Sequence, residues 1–231
     1  MPLISLVLPL SAGDASTGAN VQEYAVTLPE LGSPAEIVLV GNGSDEVDRL
    51  CRTLARDHPE IMRICPEKSS GWGQAVRSGL RAAAGDVLAY TNAARTPPEA
   101  LITALTYALG DEHVVVRTNR RTRDTLLQKL GSLAFNVECR LVLGVSSWDV
   151  NGTPKVFRRS HTRLLELRRE DDLIDAEFTV VCERAGYPVV EVAQLVRPDG
   201  GRRSVDLRTA LRMYAGVYQL RREISTQGVI P

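Results

Sequence analysis

The segment Gly85 to Glu99, GDVLAYTNAARTPPE, carries the residue types whose chemistry matters most in this chain. Residues 87–91 read as a buried strand that ends in Asn92-Ala93-Ala94 and is followed by a Pro-Pro-Glu helix start. In open α/β sheets, ligands bind beyond the carboxyl ends of the strands. Two carboxylates at such a place would hold a hard divalent cation through oxygen. Here the setting is present without the carboxylates: Asn92 offers one neutral amide oxygen and Ala94 offers nothing. Positive charge gathers elsewhere, in Arg117, Arg120, Arg121 and Arg123, in Arg158, Arg159 and Arg163, and in Arg197, Arg202 and Arg203. Each group adjoins a predicted strand end or loop. Each suits either a solvated face or a site for phosphate, which guanidinium grips bidentately.

The elements that would position these residues alternate strand and helix in the first half. Residues 3–8 form a short apolar run stopped by Pro9, and residues 36–40 a second, ended by Gly41-Asn42-Gly43. Residues 45–57 read as an amphipathic helix with Val47, Leu50, Cys51 and Leu54 on one face. Ser44 is its N-cap, and Asp45 and Glu46 suit the positive end of its dipole. Strand 61–65, helix 74–84, strand 86–91, helix 97–109 and strand 114–116 follow. Continuous apolar strands separated by helices indicate a mostly parallel sheet covered on both faces. The second half is less regular: a long helix over 126–143, a short strand over 155–158, a helix over 173–185, a strand over 188–192 and a last helix over 206–222. That last helix bears Leu207, Leu211, Tyr214, Val217 and Tyr218 on one stripe, beside Arg208, Arg212, Arg221 and Arg222. It fits either packing on the sheet or lying on an anionic membrane surface.

The 231 residues suit one domain with a substantial core. The 28 basic and 28 acidic residues cancel, which gives no argument for a nucleic-acid partner. Cys51, Cys65, Cys139 and Cys182 are far apart and read as free thiols in a reducing compartment. His58, His113 and His161 have no metal-ligand spacing. No signal peptide and no membrane-spanning run is visible, so the expected location is the cytoplasm.

Two glycine-rich turns invite a cofactor reading. Gly41-Asn42-Gly43-Ser44 opens like a dinucleotide fingerprint, but Glu46 stands where the third glycine belongs. Gly71-Trp72-Gly73 precedes the helix that carries Gly79, and glycines there let backbone approach either a ligand or a neighbouring element.

Taken in order, these pieces resemble glycosyltransferase family 2 with its GT-A fold, and most nearly the dolichol- or polyprenyl-phosphate sugar transferases. ISLVLPLSAGD resembles the first strand and turn, and EIVLVGNGSDE the second. GWGQAVRSGLRAAAGDVLAYTNAARTPPEAL resembles the family's glycine-rich helix start, Ala-Gly-Asp, strand, Asp-x-Asp and Pro-Pro-Glu. WDVNGTPKVFRRS resembles the acceptor-side loop and strand, DAEFTVVCERAGYPVVEV the Asp-x-Glu helix and its strand, and RPDGGRRSVDLRTALRM the phosphate-binding loop and last helix. The likeness covers about residues 3–223. It implies a single α/β, GT-A-like (Rossmann-like) domain over 1–231, with a nucleotide-sugar half at 1–117 and an acceptor half at 118–231.

The departures cluster on the donor side. Ala12-Gly13 aligns with the family's Asn-Glu, Gly41-Asn42 with its Asp-Asp, and Asn92-Ala93-Ala94 with its Asp-x-Asp metal motif. Asp86 begins its strand and so stands at the wrong end of the sheet. By contrast Asp149, Asn151, Gly152, Lys155, Asp175, Glu177, Arg197, Arg202 and Ser204 keep the acceptor-side pattern. The resemblance places the nucleotide sugar at Pro9, Ser11, Gly41, Asn42, Gly73, Arg77, Asn92 and Ala94. It places the phosphate or acceptor at Arg117, Arg120, Asn151, Lys155, Arg202, Arg203 and Ser204, and the catalytic group at Asp175, Glu177 and Asp149. In the family Mg²⁺ or Mn²⁺ bridges the donor diphosphate; with that motif replaced, no metal or other cofactor is expected. Arg77, Arg95 and either Arg117 or Arg120 are by position the cations that would replace it. The expected reaction is metal-independent transfer of a sugar from a nucleotide-sugar donor to a phosphate or hydroxyl acceptor. The partners implied are that donor and a lipid phosphate or other small acceptor, with peripheral contact at the inner face of a membrane. The alternative is a catalytically degenerate relative that binds a ligand or a partner on the inherited fold.

Overall fold

The computed structural model describes residues 1–11, 16–67, 69, 71–120, 126–194 and 207–226. Seven strands form one sheet: β1 (Ile4–Pro9), β2 (Ala35–Val40), β3 (Met62–Ile64), β4 (Val87–Tyr90), β5 (Val115–Arg120), β6 (Lys155–Arg158) and β7 (Val189–Gln194). Their order is β3-β2-β1-β4-β6-β5-β7. All pairs are parallel except those of β6, which runs antiparallel to β4 and β5. Reversing β6 brings its first residue, Lys155, to the edge where the other strands end, opposite Tyr90 on one side and Arg117 on the other.

The helices are α1 (Ser16–Thr27), α2 (Asp45–Asp57), α3 (Trp72–Ala82), α4 (Pro98–Gly110), α5 (Leu126–Leu143), α6 (Ile174–Arg184) and α7 (Leu207–Thr226). The apolar side chains of α1, α2 and α4 cover one face of the sheet. Those of α3 and α6 cover the other. On the outer side of α6, Leu173, Ala176 and Val180 pack against Phe135 and Cys139 of α5 and Val217 and Leu220 of α7. The stripe of the last helix is thus partly core: Val217 is buried and Tyr218 is exposed.

The sequence pattern marks most of these elements within a residue or two. α2 occupies the expected 45–57, and the Ser44 hydroxyl accepts from Val47 N–H at its start. Three elements differ, the last helix by running on to Thr226 past the expected 222. α1 was not marked, because its buried face includes the polar Thr17 and Asn20 and its first turn has no acidic residue. β5 runs on to Arg120, past the apolar residues that announced it, because its whole length pairs with β7.

Candidate active site

The strand order reverses direction between β1 and β4, and crevices at such switch points, beyond the strands' carboxyl ends, are where open α/β sheets bind ligands. The loop after β4 is the floor of that crevice. Asn92 Oδ1 accepts from Ala94 N–H at 3.0 Å, and Asn92 carbonyl accepts from Arg95 and Thr96 N–H. The loop's own carbonyls are tied down one after another. Asn20 Nδ2 donates to Ala93 at 2.6 Å, Ser16 Oγ to Ala94 at 3.4 Å, Gln194 Nε2 to Arg95 at 3.1 Å and Tyr24 Oη to Thr96 at 2.6 Å. The side chains here do not fit a hard divalent cation: the one amide oxygen already accepts a backbone proton, and Ala93 and Ala94 bring no donor atom. Among the described residues no cluster of three or more His, Cys, Asp or Glu is placed to hold a metal.

The neighbouring turn behaves alike. Asn42 Oδ1 accepts from Ser44 N–H at 3.0 Å and Ser44 Oγ at 2.8 Å, so it shapes the entry to α2. Gly41 is buried behind it, while Pro9 ends β1 and Ser11 is exposed just beyond. Ala12-Gly13, the third departure, lies outside the described residues.

A dense polar cluster stands on the α3/α6 face of the same edge. Asp175, 5% exposed at the start of α6, accepts at Oδ1 from Lys155 Nζ at 2.6 Å and Tyr90 Oη at 2.9 Å. Its Oδ2 accepts from Trp72 Nε1 at 3.0 Å. Lys155 is fully buried, and its three protons are used on Asp175 Oδ1, Asp175 carbonyl and Val150 carbonyl. Burial lowers the Lys155 pKa against the opposing pull of Asp175, and burial together with Asp175 drives the Tyr90 phenol well above its ordinary value. Lys155 is therefore a support for Asp175 and presents no proton to a ligand in this arrangement.

Beside Lys155 lies Arg117, 4% exposed, with Nε and Nη2 on Glu191 Oε1 at 2.9 and 2.8 Å. Its Nη1 is buried without a partner. Asn119 Nδ2 and Ser147 Oγ also reach Glu191, at 3.3 and 3.4 Å. The loop before β6 brings Asp149, buried, and Asn151, whose Oδ1 is buried without a partner. Gly152 lets that loop lie against β5: a Cβ there would stand 1.8 Å from Thr118 carbonyl. Ionic and hydrogen-bonding capacity is thus concentrated around Asp175, Lys155 and Arg117.

The remaining predicted residues have mixed placements. Glu177 faces backward, accepting from Arg168 N–H at 3.0 Å and Arg169 N–H at 2.8 Å, and burial raises its pKa. Arg77 Nη1 donates to Arg168 carbonyl at 3.0 Å and pairs with Glu170 at 2.9 Å. Gly73 makes room for protein: a Cβ would meet Asp171 and Arg169 carbonyls at 2.5 and 2.6 Å. The segment 168–171 therefore forms a strap over the first turn of α3. Arg158 and Arg159 correct the reading of their cluster as a phosphate site. They sit at the opposite end of the sheet, donating to Leu109, Gly85 and Ala83 carbonyls, because β6 is reversed. Arg120 ends β5; Arg202, Arg203 and Ser204 lie outside the described residues. Sequence reasoning missed Trp72 and Tyr90. A tryptophan in a glycine-rich helix start was the available signal for the first; the second sat inside an apolar strand.

The comparisons with known proteins agree with this architecture. The family model described as Glycosyl transferase family 2 matches residues 24–165. The undecaprenyl-phosphate 4-deoxy-4-formamido-L-arabinose transferase of Pectobacterium carotovorum subsp. carotovorum is 30% identical over 161 residues, covering 68% of this chain and 49% of that protein. Its counterpart in Yersinia enterocolitica is 24% identical over 159 residues with the same shares. The chain spans about half the length of the curated relatives it matches. Among solved structures, glucosyl-3-phosphoglycerate synthase from Mycobacterium tuberculosis, in complex with Mn²⁺, uridine diphosphate and glucosyl-3-phosphoglycerate, superposes with a TM-score of 0.70. It is 18% identical and is covered to 81%, against 100% of this chain. With a match over more than half its length and the sheet that goes with it, the chain belongs to glycosyltransferase family 2.

Proposed function

We propose that this protein transfers a sugar from a nucleotide-sugar donor to a phosphate acceptor of the polyprenyl-phosphate kind, without a divalent cation on the loop after β4. The observation that carries the reading is the contrast along one sheet edge. The donor loop is a turn without carboxylates whose oxygens are engaged, while Asp175, Lys155, Arg117 and Asn151 stand together on the acceptor side. The relatives named for undecaprenyl phosphate support the acceptor class.

In this mechanism the donor lies in the crevice between Pro9, Ser11, Gly41 and Asn42 on one side and Asn92 and Ala94 on the other. Arg95, on the loop after β4, supplies positive charge for its diphosphate; Arg77 joins it only on leaving its partner Glu170. Arg117, through its unpartnered Nη1, and Asn151 hold the acceptor phosphate, joined by Arg120, Arg202, Arg203 and Ser204. A phosphate oxygen is already ionised, so transfer to it needs no strong base. Asp175 orients the acceptor, held in place by Lys155, and would take the proton if the acceptor were a hydroxyl. Asp149 supports the loop before β6, and Glu177 supports the strap. The half before residue 118 serves the donor and the half after it the acceptor.

The exposed apolar stripe Leu130, Leu133, Val137 and Leu141 on α5, with Trp148, Arg140 and Arg221 near it, favours peripheral contact with an anionic membrane. Such contact would bring a lipid phosphate to the site.

Calorimetric titration with uridine- and guanosine-diphosphate sugars, with and without Mn²⁺, tests the donor side. The expected result is weak binding that Mn²⁺ leaves nearly unchanged; a large metal-dependent gain in affinity overturns the metal-free reading. A catalytically degenerate binder would show no turnover with any donor in a transfer assay.

A further inference from the structure

Asp175 is held unequally. Its Oδ1 takes two donors, the Lys155 ammonium and the Tyr90 hydroxyl, both of which are themselves fully buried. Those two bonds compensate the charge and fix Oδ1. The other oxygen, Oδ2, receives the indole N–H of Trp72 at 3.0 Å, which completes the plane of the carboxylate. Trp72 is in turn fixed. It is the first residue of α3, it meets Tyr90 edge-on with centroids 6.3 Å apart, and the following Gly73 packs on the strap that leads into α6. Trp72 comes from the donor half and Asp175 from the acceptor half, so this hydrogen bond joins the two at the edge where both ligands would meet.

Resting on the reading that Asp175 acts on the acceptor, we infer that Trp72 is a positioning residue that sets the direction of Asp175 Oδ2. The role requires the N–H and not merely the ring. A purely structural tryptophan would be replaced by phenylalanine with loss of stability alone, since the aromatic contact with Tyr90 is retained.

The test uses the whole protein and the variants Trp72→Phe, Asp175→Asn and both together. Trp72→Phe is expected to melt within a few degrees of wild type and to lose about 10- to 100-fold in kcat, the scale of a reacting group displaced by about an ångström. KM for donor and acceptor should stay within about threefold, since the bound ligands keep their own contacts. Because Trp72 acts through Asp175, the double variant should be no slower than Asp175→Asn. One measurement is independent of turnover. The chain has two tryptophans, hence two indole N–H signals in a nitrogen–proton correlation spectrum. The one that vanishes in Trp72→Phe should shift in Asp175→Asn, whose amide N–H₂ faces the indole.

An unmoved indole signal, a Trp72→Phe variant with wild-type kcat, or additive losses in the double variant overturns the inference alone. Full activity in Asp175→Asn, or no turnover with any donor, removes the underlying reading and the inference together. If Asp175→Asn does not fold, the kcat and KM of Trp72→Phe decide the matter.

Discussion

A lysine with no exposed surface is costly to keep charged, and Lys155 is tolerable only because each of its protons has an acceptor. Removing one partner of such a pair leaves the other uncompensated. Lys155→Met is therefore expected to destabilise the fold by about 3–5 kcal/mol in denaturant unfolding. Replacing both partners, as Lys155→Met with Asp175→Leu, should recover part of that loss, whereas a single variant as stable as wild type would mean that Asp175 does not depend on Lys155. The same bookkeeping explains why the sequence announced Asp175 and Lys155 but not that they meet, and neither Trp72 nor Tyr90 beside them. A carboxylate in a family pattern is visible in the chain itself. The three side chains that hold it come from α3, β4 and β6, and nothing in their local sequence says that they meet. Asn92 is the converse case: its type alone ruled out a carboxylate ligand, and the structure adds that its oxygen is already engaged by Ala94 N–H.

At the scale of elements, the amino ends of the strands are fastened as carefully as the carboxyl ends. Glu36 on β2 accepts from the Ser5 hydroxyl of β1 and from Ala84 N–H at 2.7 Å, and pairs with Arg63 of β3 at 2.7 Å. Burial alone would raise its pKa, but Arg63, Ala84 N–H and Ser5 outweigh burial and lower it. A carboxylate whose folded-state pKa lies below its unfolded one stabilises the fold above the unfolded value near 4.5, and that contribution is lost as pH falls through the lowered one. Melting temperatures of wild type and Glu36→Gln should therefore differ most at neutral pH and converge in acid; parallel curves would refute the role. Element types were largely legible because helix faces and apolar strands carry their periods in sequence. The failures were physical. α1 buries Asn20 because the loop after β4 needs its donor, and β5 continues through Arg117 and Asn119 because Glu191 on β7 meets both.

For the whole molecule, an exposed apolar stripe among the described residues lies on α5, where Leu130 is 54% exposed and Leu141 77%. Positions three and four apart on a helix share a face, so Leu130, Leu133, Val137 and Leu141 form one stripe. Among the described residues no helix is long and apolar enough to cross a membrane. In co-sedimentation with vesicles containing anionic lipid, the protein is expected to bind more at low salt than at high. Leu133→Glu with Leu141→Glu should lower the bound fraction several-fold without changing the melting temperature. Equal binding by that variant would assign the stripe to something other than lipid.

The reversed strand β6 also governs when the site comes into being. Tyr90 meets Lys155, and Val115 meets Val189, only after long stretches of chain have been brought back on themselves. β1, β2 and β3 lie closer in sequence and can associate early. Contacts distant in sequence close late, because the chain must lose its freedom before they reward it. Asp175 is thus expected to acquire its partners later in folding than β1, β2 and β3 pair with one another.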